Sequence, residues 1–359
     1  MAAEIDTHSA AAAPSARGSD DPVVDASELA GILERGFGVT ALSVRSVGSE
    51  SAAVFRVRTS SGPDIALKVF PSDAASGGTI RWQHEVVQRV SECGIPVARP
   101  LATRAGELTL EARSRDRMLL VQASEWLPGS PLEHVPVTHA LLHEVGLTAA
   151  RLHGCLRRES APRGLVPHIW QLTSSRPTIE AALGRIALLR RQGLLNDHAA
   201  EIVRLERAAA AVFALLDAEV APRLDRLPSA VVHHDLHDSN LLVGPAEAPR
   251  AITGILDFGD MTRSVRISEP VIAGAYAARH VTDPRAALDT VLTGWSDVVP
   301  VTSDESAVVL PLAAARLIAN ATVWLSRLDT LRGEYAAARR RGSLATAEAL
   351  LAAEGGTRG

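Results

Sequence analysis

Hydrophobic and polar positions divide the chain into a first stretch that alternates with period two and a longer stretch with helical period. Leu42-Ser43-Val44-Arg45-Ser46-Val47 alternates, and after a small polar break so does Val54-Phe55-Arg56-Val57. A Ser60-Ser61-Gly62-Pro63-Asp64 turn then leads into the more apolar Ile65-Ala66-Leu67-Lys68-Val69-Phe70. The pattern predicts an antiparallel meander of about three strands. Thr79 to Cys93 reads as a helix, with Ile80, Val86 or Val87 and Val90 on one face and Gly94 and Pro96 as its stop. Short strands are predicted near Arg99–Thr103, Glu107–Leu110 and Met118–Ala123.

After Glu125-Trp126-Leu127-Pro128-Gly129 the period changes. Leu141, Val145, Thr148, Leu152 and Cys155 fall on one helical face, and helical patterning continues to the end. One strand-and-loop block, Ala230–Asp260, interrupts it. Residues 1–25 are rich in Ala, Ser and Asp without apolar periodicity and read as a flexible tail. The expected fold class is α+β. It has a small antiparallel-sheet lobe over residues 26–125 and a larger, mainly helical lobe over 126–359.

Composition narrows the function classes. The 359 residues suffice for a substantial core, in one large or two modest domains. A net charge of −4 leaves no electrostatic footprint for nucleic acid. The longest apolar stretch, Ala307 to Leu325, is interrupted by Pro311, Arg316 and Asn320, so no membrane span is expected. The first residues lack a basic region followed by an apolar one, so no signal peptide is expected. Two cysteines, Cys93 and Cys155, are too few for a disulfide framework and are expected as buried thiols in a reducing compartment, the cytoplasm. Oligomeric state is left open.

Candidate chemistry changes the picture most. Of 37 basic side chains only Lys68 is a lysine, inside an apolar strand. A compact ammonium suits phosphate oxygens in a way that the planar guanidinium fork does not. The plainer alternative is an edge lysine reaching solvent.

Downstream, Val231-Val232-His233-His234-Asp235-Leu236-His237-Asp238-Ser239-Asn240-Leu241-Leu242-Val243 is followed by Ala251-Ile252-Thr253-Gly254-Ile255-Leu256-Asp257-Phe258-Gly259-Asp260. The apolar runs Leu241–Val243 and Ile252–Leu256 predict a hairpin that brings Asn240 and Asp257 together. An amide oxygen and a carboxylate are hard ligands suited to Mg²⁺ carrying triphosphate oxygens. Asp235, on the loop before them, is placed to accept a proton from a substrate hydroxyl. His-x-Asp-x-x-x-x-Asn followed by Asp-Phe-Gly, with a strand lysine upstream, is a phosphoryl-transfer arrangement.

On these motifs the chain resembles the aminoglycoside phosphotransferase family, relatives of choline kinases and more distantly of protein kinases. Gly254–Met261, Ser268–Ala273 and Arg316–Ala321 look most similar to its hydroxylysine kinase-like members. The resemblance covers about residues 40–330 and implies a two-lobed protein-kinase-like fold with nucleotide between the lobes. It implies ATP or GTP as co-substrate, Mg²⁺ as cofactor and a small-molecule acceptor with a hydroxyl and an amine. A hydroxylysine-like amino acid or amino alcohol is favoured, ahead of an aminoglycoside or peptide antibiotic.

Residue by residue, Lys68 would meet the α- and β-phosphates and Glu85 would pair with it. Asp235 would be the catalytic base, and Asn240 and Asp257 the metal ligands. Glu125, Trp126 and Leu127 would form the hinge that meets the purine. The Gly48-Ser49-Glu50-Ser51 loop, with Ser49 and Ser51, would cover the phosphates, although one glycine makes it unlike the glycine-rich protein-kinase form.

His237, Asp260 and Glu269 are candidates for the acceptor, with solvent-facing or turn-capping roles as the alternatives. His233 is read as structural, bonding backbone around the Asp257 loop. Glu92 rivals Glu85 as partner of the lysine, and Asp304-Glu305 reads as amine recognition, with Ser303-Asp304 as a helix N-cap the alternative. A kinase-like module without turnover is the alternative of another class; the complete set Lys68, Asp235, Asn240 and Asp257 stands against it.

Overall fold

The computed structural model describes residues 25–47, 52–72, 77–115, 117–165, 168–245, 251–330 and 333–357. Ser49 and Ser51 lie outside the described residues, as does the expected tail before Asp25. The chain forms two compact units. One holds residues up to Gly77 together with Pro100–Trp126, the other Gly78–Arg99 with everything from Leu127 onward.

The first unit is a sheet covered by one helix. Strands β1 (Ala41–Ser46), β2 (Ala53–Thr59), β3 (Ile65–Pro71), β4 (Leu110–Ser114) and β5 (Arg117–Glu125) lie in the order β1-β2-β3-β5-β4. Each neighbouring pair is antiparallel. The alternation along β3 buries Ile65, Leu67 and Val69 against Leu119, Val121 and Ala123 of β5. The helix α1 (Ala26–Phe37) packs Leu29 and Leu33 on that layer. It is capped by the Asp25 side chain at its start and by left-handed Gly38 at its end. Two expected strands shift: Arg99–Thr103 reduces to a bridge from Pro100 to Ser124, and the next strand starts only at Leu110. Its polar Glu-Ala-Arg-Ser sequence had hidden it.

The helix α2 (Gly77–Glu92) was expected in the small lobe, yet nearly all of it clusters with the second unit. Its buried Val86 and Val90, with Val97 after it, belong to the core built on Leu141, Val145 and Leu152. Backbone continues that attachment, because Ile255 N donates to Pro96 O at 2.7 Å. Neither cysteine is fully buried as expected: Cys93, just past α2, is exposed and Cys155 is half-buried.

The rest of the second unit is helical around small sheets: α3 (His139–Leu156), α4 (Ser175–Arg191), α5 (Ala199–Leu215), α6 (Ser268–Ala277), α7 (Pro284–Ser296), α8 (Ser303–Leu325), α9 (Gly333–Arg339) and α10 (Ser343–Thr357). Strands β6 (Ser130–Pro131), β8 (Leu241–Val243) and β9 (Ile252–Ile255) form one sheet, while β7 (Ser229–Val232) pairs with β10 (Thr262–Val265). Helices α3 and α7 touch backbone to backbone. A Cβ on Gly146 would lie 2.0 Å from Val291 O, and one on Gly294 would lie 2.1 Å from His143 O.

Helix α8 is long and apolar enough to cross a membrane, and every residue of its most apolar window is buried inside the unit. Pro311 does not interrupt it. Its start is a capping box, Thr302 with Glu305, and Glu305 also receives Arg266 at 2.8 Å. Asp304 pairs with Arg226 at 2.9 Å. Both acids therefore serve the helix start.

Candidate active site

The expected hairpin is present and carries the site. Leu241 pairs with Ile255 and Leu242 with Gly254 in antiparallel register. The ladder extends one step further, with Leu256 N donating to Asn240 O at 2.8 Å. This last bond sets Asn240 beside the residue preceding Asp257. Gly254 is forced by close packing, since a Cβ there would come within 2.9 Å of both Leu127 and Leu242.

Asp257 takes left-handed backbone, φ 57° and ψ 76°, as the chain leaves β9 for a short 3₁₀ turn at Phe258–Asp260. A non-glycine residue held there carries strain of the kind that accumulates at functional sites. His233 braces this turn: its Nε2 meets Leu256 O at 2.9 Å and its ring packs on Phe258 with centroids 4.5 Å apart. Its Nδ1 accepts from Asp235 N at 3.2 Å, so the neutral ring joins the two loops. Burial pushes the His233 ring down to about 4 and His234 down to about 3, which keeps both uncharged near neutrality.

Asp235 sits where three polar side chains converge. Arg316 NH2 donates to Oδ1 at 2.8 Å, Asn240 Nδ2 donates to Oδ2 at 2.9 Å, and His237 Nε2 lies 3.3 Å from Oδ2. Burial opposes ionisation of this carboxyl. His237 and Arg316 outweigh it and hold Asp235 well below the usual carboxylate range. The side chain keeps 16% of its surface open. Asn240 spends its amide nitrogen on Asp235, which leaves its oxygen as the donor for a cation.

Glu269 has a different place from the one expected. It is fully buried and accepts the backbone N–H of His233, so it supports the loop from within and does not face an acceptor. Burial pushes its carboxyl up to about 8, against the pull of the His233 and His234 amides. His237 is almost buried and packs on Tyr276, its Nδ1 accepting from Ser239 N at 3.1 Å. Asp260 is half-buried and lies 3.7 Å from His168. Glu85 is exposed on α2.

In the first unit Lys68 is half-buried, opposite Val54 and Gln122 in the sheet. Glu125 ends β5 opposite Ile65, and Trp126 N donates to Asp64 O while Arg56 lies over its ring at 4.7 Å. The chain enters the second unit at Leu127.

Sequence reasoning missed a second buried carboxylate, Asp238. It receives Arg279 NH2 at 2.6 Å and His280 Nε2 at 2.5 Å. Burial works against its charge, but His280 and Arg279 bring it down to about 2. Arg279 also donates to Arg339 O at 3.1 Å, tying the loop to the end of α9. Arg339 itself returns to the loop, donating to Ser239 Oγ at 2.5 Å. The available signal was a run of His and Asp too polar for a solvent-free segment without partners.

Comparison with known proteins agrees with this geometry. The profile of the phosphotransferase enzyme family (APH) matches residues 43–300. Hydroxylysine kinase of Mus musculus is 24% identical over 319 residues, 83% of this chain and 81% of that protein. The structure of a microcompartment-associated aminopropanol kinase superposes with TM-score 0.64 at 17% identity, covering 92% of this chain and 98% of that one. Amicoumacin kinase, solved with AMP-PNP, Ca²⁺ and Ami, gives TM-score 0.65 at 14% identity, covering 90% of this chain and 94% of that one. At such identities the two structures speak to fold alone, and the fold is that of the kinases. With its profile match running from β1 through the Asp235 loop to the end of α7, this chain belongs to the phosphotransferase enzyme family.

Proposed function

We propose that the protein is a small-molecule kinase, moving the γ-phosphoryl group of ATP or GTP onto a hydroxyl of an amine-bearing acceptor. One observation carries the reading. Asp235 is kept ionised by Arg316 and His237 and hydrogen-bonded to Asn240, whose backbone is laddered to the residue before Asp257. An ionised carboxylate with an open edge can receive the hydroxyl hydrogen as the acceptor oxygen bonds to phosphorus and the bond to the leaving nucleoside diphosphate breaks. Transfer of this kind asks mainly for positioning and charge stabilisation.

Among the described residues no three His, Cys, Asp or Glu side chains converge as a metal cluster. Mg²⁺ is commonly held by one or two protein side chains and completes its shell with water and phosphate. Asn240 and Asp257 would hold it, and its role would be to neutralise phosphate charge. Lys68 would supply a point charge to the phosphates, with Glu85 as its expected support and Glu125–Leu127 as the purine-facing strand end. His237 and Asp260 are assigned to the acceptor side, and the enzyme to the cytoplasm.

For the acceptor, the match to hydroxylysine kinase over most of both chains supports hydroxylysine or a similar hydroxy-amino acid. The test is Mg²⁺-dependent release of ADP and GDP over hydroxylysine, ethanolamine, choline, homoserine and aminoglycosides, with Asp235→Asn as blank. Release stimulated by hydroxylysine and lost in the variant is the expected result. Stimulation that survives in Asp235→Asn would refute the assigned base.

A further inference from the structure

Helix α8 lies beyond residue 300, where the family profile ends, and it carries one arginine in an otherwise apolar stretch. Arg316 is 2% exposed. A guanidinium so deep in a core is costly unless each part of it is answered. Here NH1 donates to Trp170 O and NH2 to Asp235 Oδ1, both at 2.8 Å, while Nε is buried with no hydrogen-bond partner among the described residues. The guanidinium lies over the rings of Trp170 and Tyr276, at 5.1 Å and 5.6 Å from their centroids. Ring contacts and the Trp170 carbonyl fix the fork in one orientation, and the fork then fixes one oxygen of Asp235.

The lone pairs of that carboxylate can be followed. A carboxylate offers about four acceptor sites, two per oxygen. Asn240 Nδ2 and His237 Nε2 occupy the surroundings of Oδ2, and Arg316 takes one site on Oδ1. One acceptor site therefore remains, on Oδ1 beside the guanidinium, and the side chain as a whole keeps 16% of its surface open. We propose that Arg316 is the positioning residue of the transfer reaction. It holds Asp235 so that the acceptor hydroxyl is received on Oδ1, and it does so through Asp235 without touching nucleotide.

This assignment rests on the phosphotransferase reading of Asp235, and the two fail differently. Full activity in Asp235→Asn removes the reading itself. Full activity in Arg316→Met beside a dead Asp235→Asn removes only the role of Arg316.

The experiment measures hydroxylysine-stimulated ADP release and the slow release to water, together with AMP-PNP affinity and unfolding temperature. It uses Arg316→Met, Arg316→Lys, Asp235→Asn and the Arg316→Met/Asp235→Asn pair. Arg316→Met is expected to lower kcat by roughly 10²-fold with AMP-PNP affinity within about threefold of the parent. Arg316→Lys keeps the charge but loses the fork, and should fall by about tenfold. Because Arg316 acts through Asp235, adding Arg316→Met to Asp235→Asn should lower kcat by less than about threefold more. A purely structural role predicts multiplying losses and weakened AMP-PNP binding, and either result overturns the proposal. So does a folded Arg316→Met with kcat within about threefold of the parent. If Arg316→Met does not fold, Arg316→Lys decides: a drop of about tenfold supports the proposal, and a drop under threefold overturns it.

Discussion

The loop over residues 233–240 meets two buried acids that end in opposite states, Asp235, proposed above as the base, and Glu269 in its backing. Burial disfavours the charge of both. Asp235 has a guanidinium and an imidazole against it and stays ionised. Glu269 has only backbone N–H donors, one of its oxygens has no hydrogen-bond partner among the described residues, and its carboxyl rises to about 8. Depth alone does not set the charge of a buried acid; the presence of a formal cation does. The loop thus has a charged face at Asp235 and a proton-holding floor at Glu269.

The most direct way to break the comparison is Asp235→Asn, which removes the charged face while keeping the size of the side chain. Turnover should fall by roughly 10³-fold while AMP-PNP binding persists, as separate kinetic and titration measurements would show. Lys68 extends the contrast to the other unit, where the charge is a half-buried sheet residue. Both Lys68→Ala and Lys68→Arg should lower kcat/KM by about 10²-fold; a fully active Lys68→Arg would mean that any cation serves there.

Asp238, within the loop, is a third buried acid and follows the Asp235 pattern, with the Arg279 guanidinium and the His280 ring against it. Arg279→Met leaves it half-answered and should cost about 3 kcal/mol in denaturant unfolding. A loss below ~1 kcal/mol would show the pair to be dispensable.

The mildest effect, and the sharpest test of the floor, is Glu269→Gln. A carboxyl with a folded-state value near 8 and an ordinary unfolded value binds its proton more tightly in the folded state. Stability from this group is therefore fullest in acid and declines as pH rises through that interval, by roughly 3 kcal/mol from about pH 5 to about pH 8. Glu269→Gln should flatten that decline in denaturant titrations across pH. An unchanged slope would mean that Glu269 is ionised.

Much of this was readable from residue order. Alternation predicted β1 to β3, and the apolar runs flanking Gly244 predicted the hairpin that joins Asn240 to the Asp257 turn. The motif picked out Asp235, and His233 was correctly read as a backbone brace of the Asp257 loop. Local periodicity suffices for such features, because strand and hairpin patterns are written in adjacent residues. The helix α1 was not anticipated, and α2 was expected in the sheet unit, because burial of Val86 and Val90 depends on partners more than fifty positions away.

The chemistry of the loop shows the same division. Residue types and spacing along the chain pointed to the kinase class and picked out Asp235 as candidate base and Asn240 and Asp257 as candidate metal ligands. Whether each acid is charged was decided by groups remote in sequence: Arg316 from α8, Arg279 and His280 after α6, and for Glu269 backbone amides in place of a cation among the described residues. A lone arginine in an apolar helix marks an unusual position but does not name its partner. Ionisation depends on distance through folded space, and only tertiary packing supplies that distance.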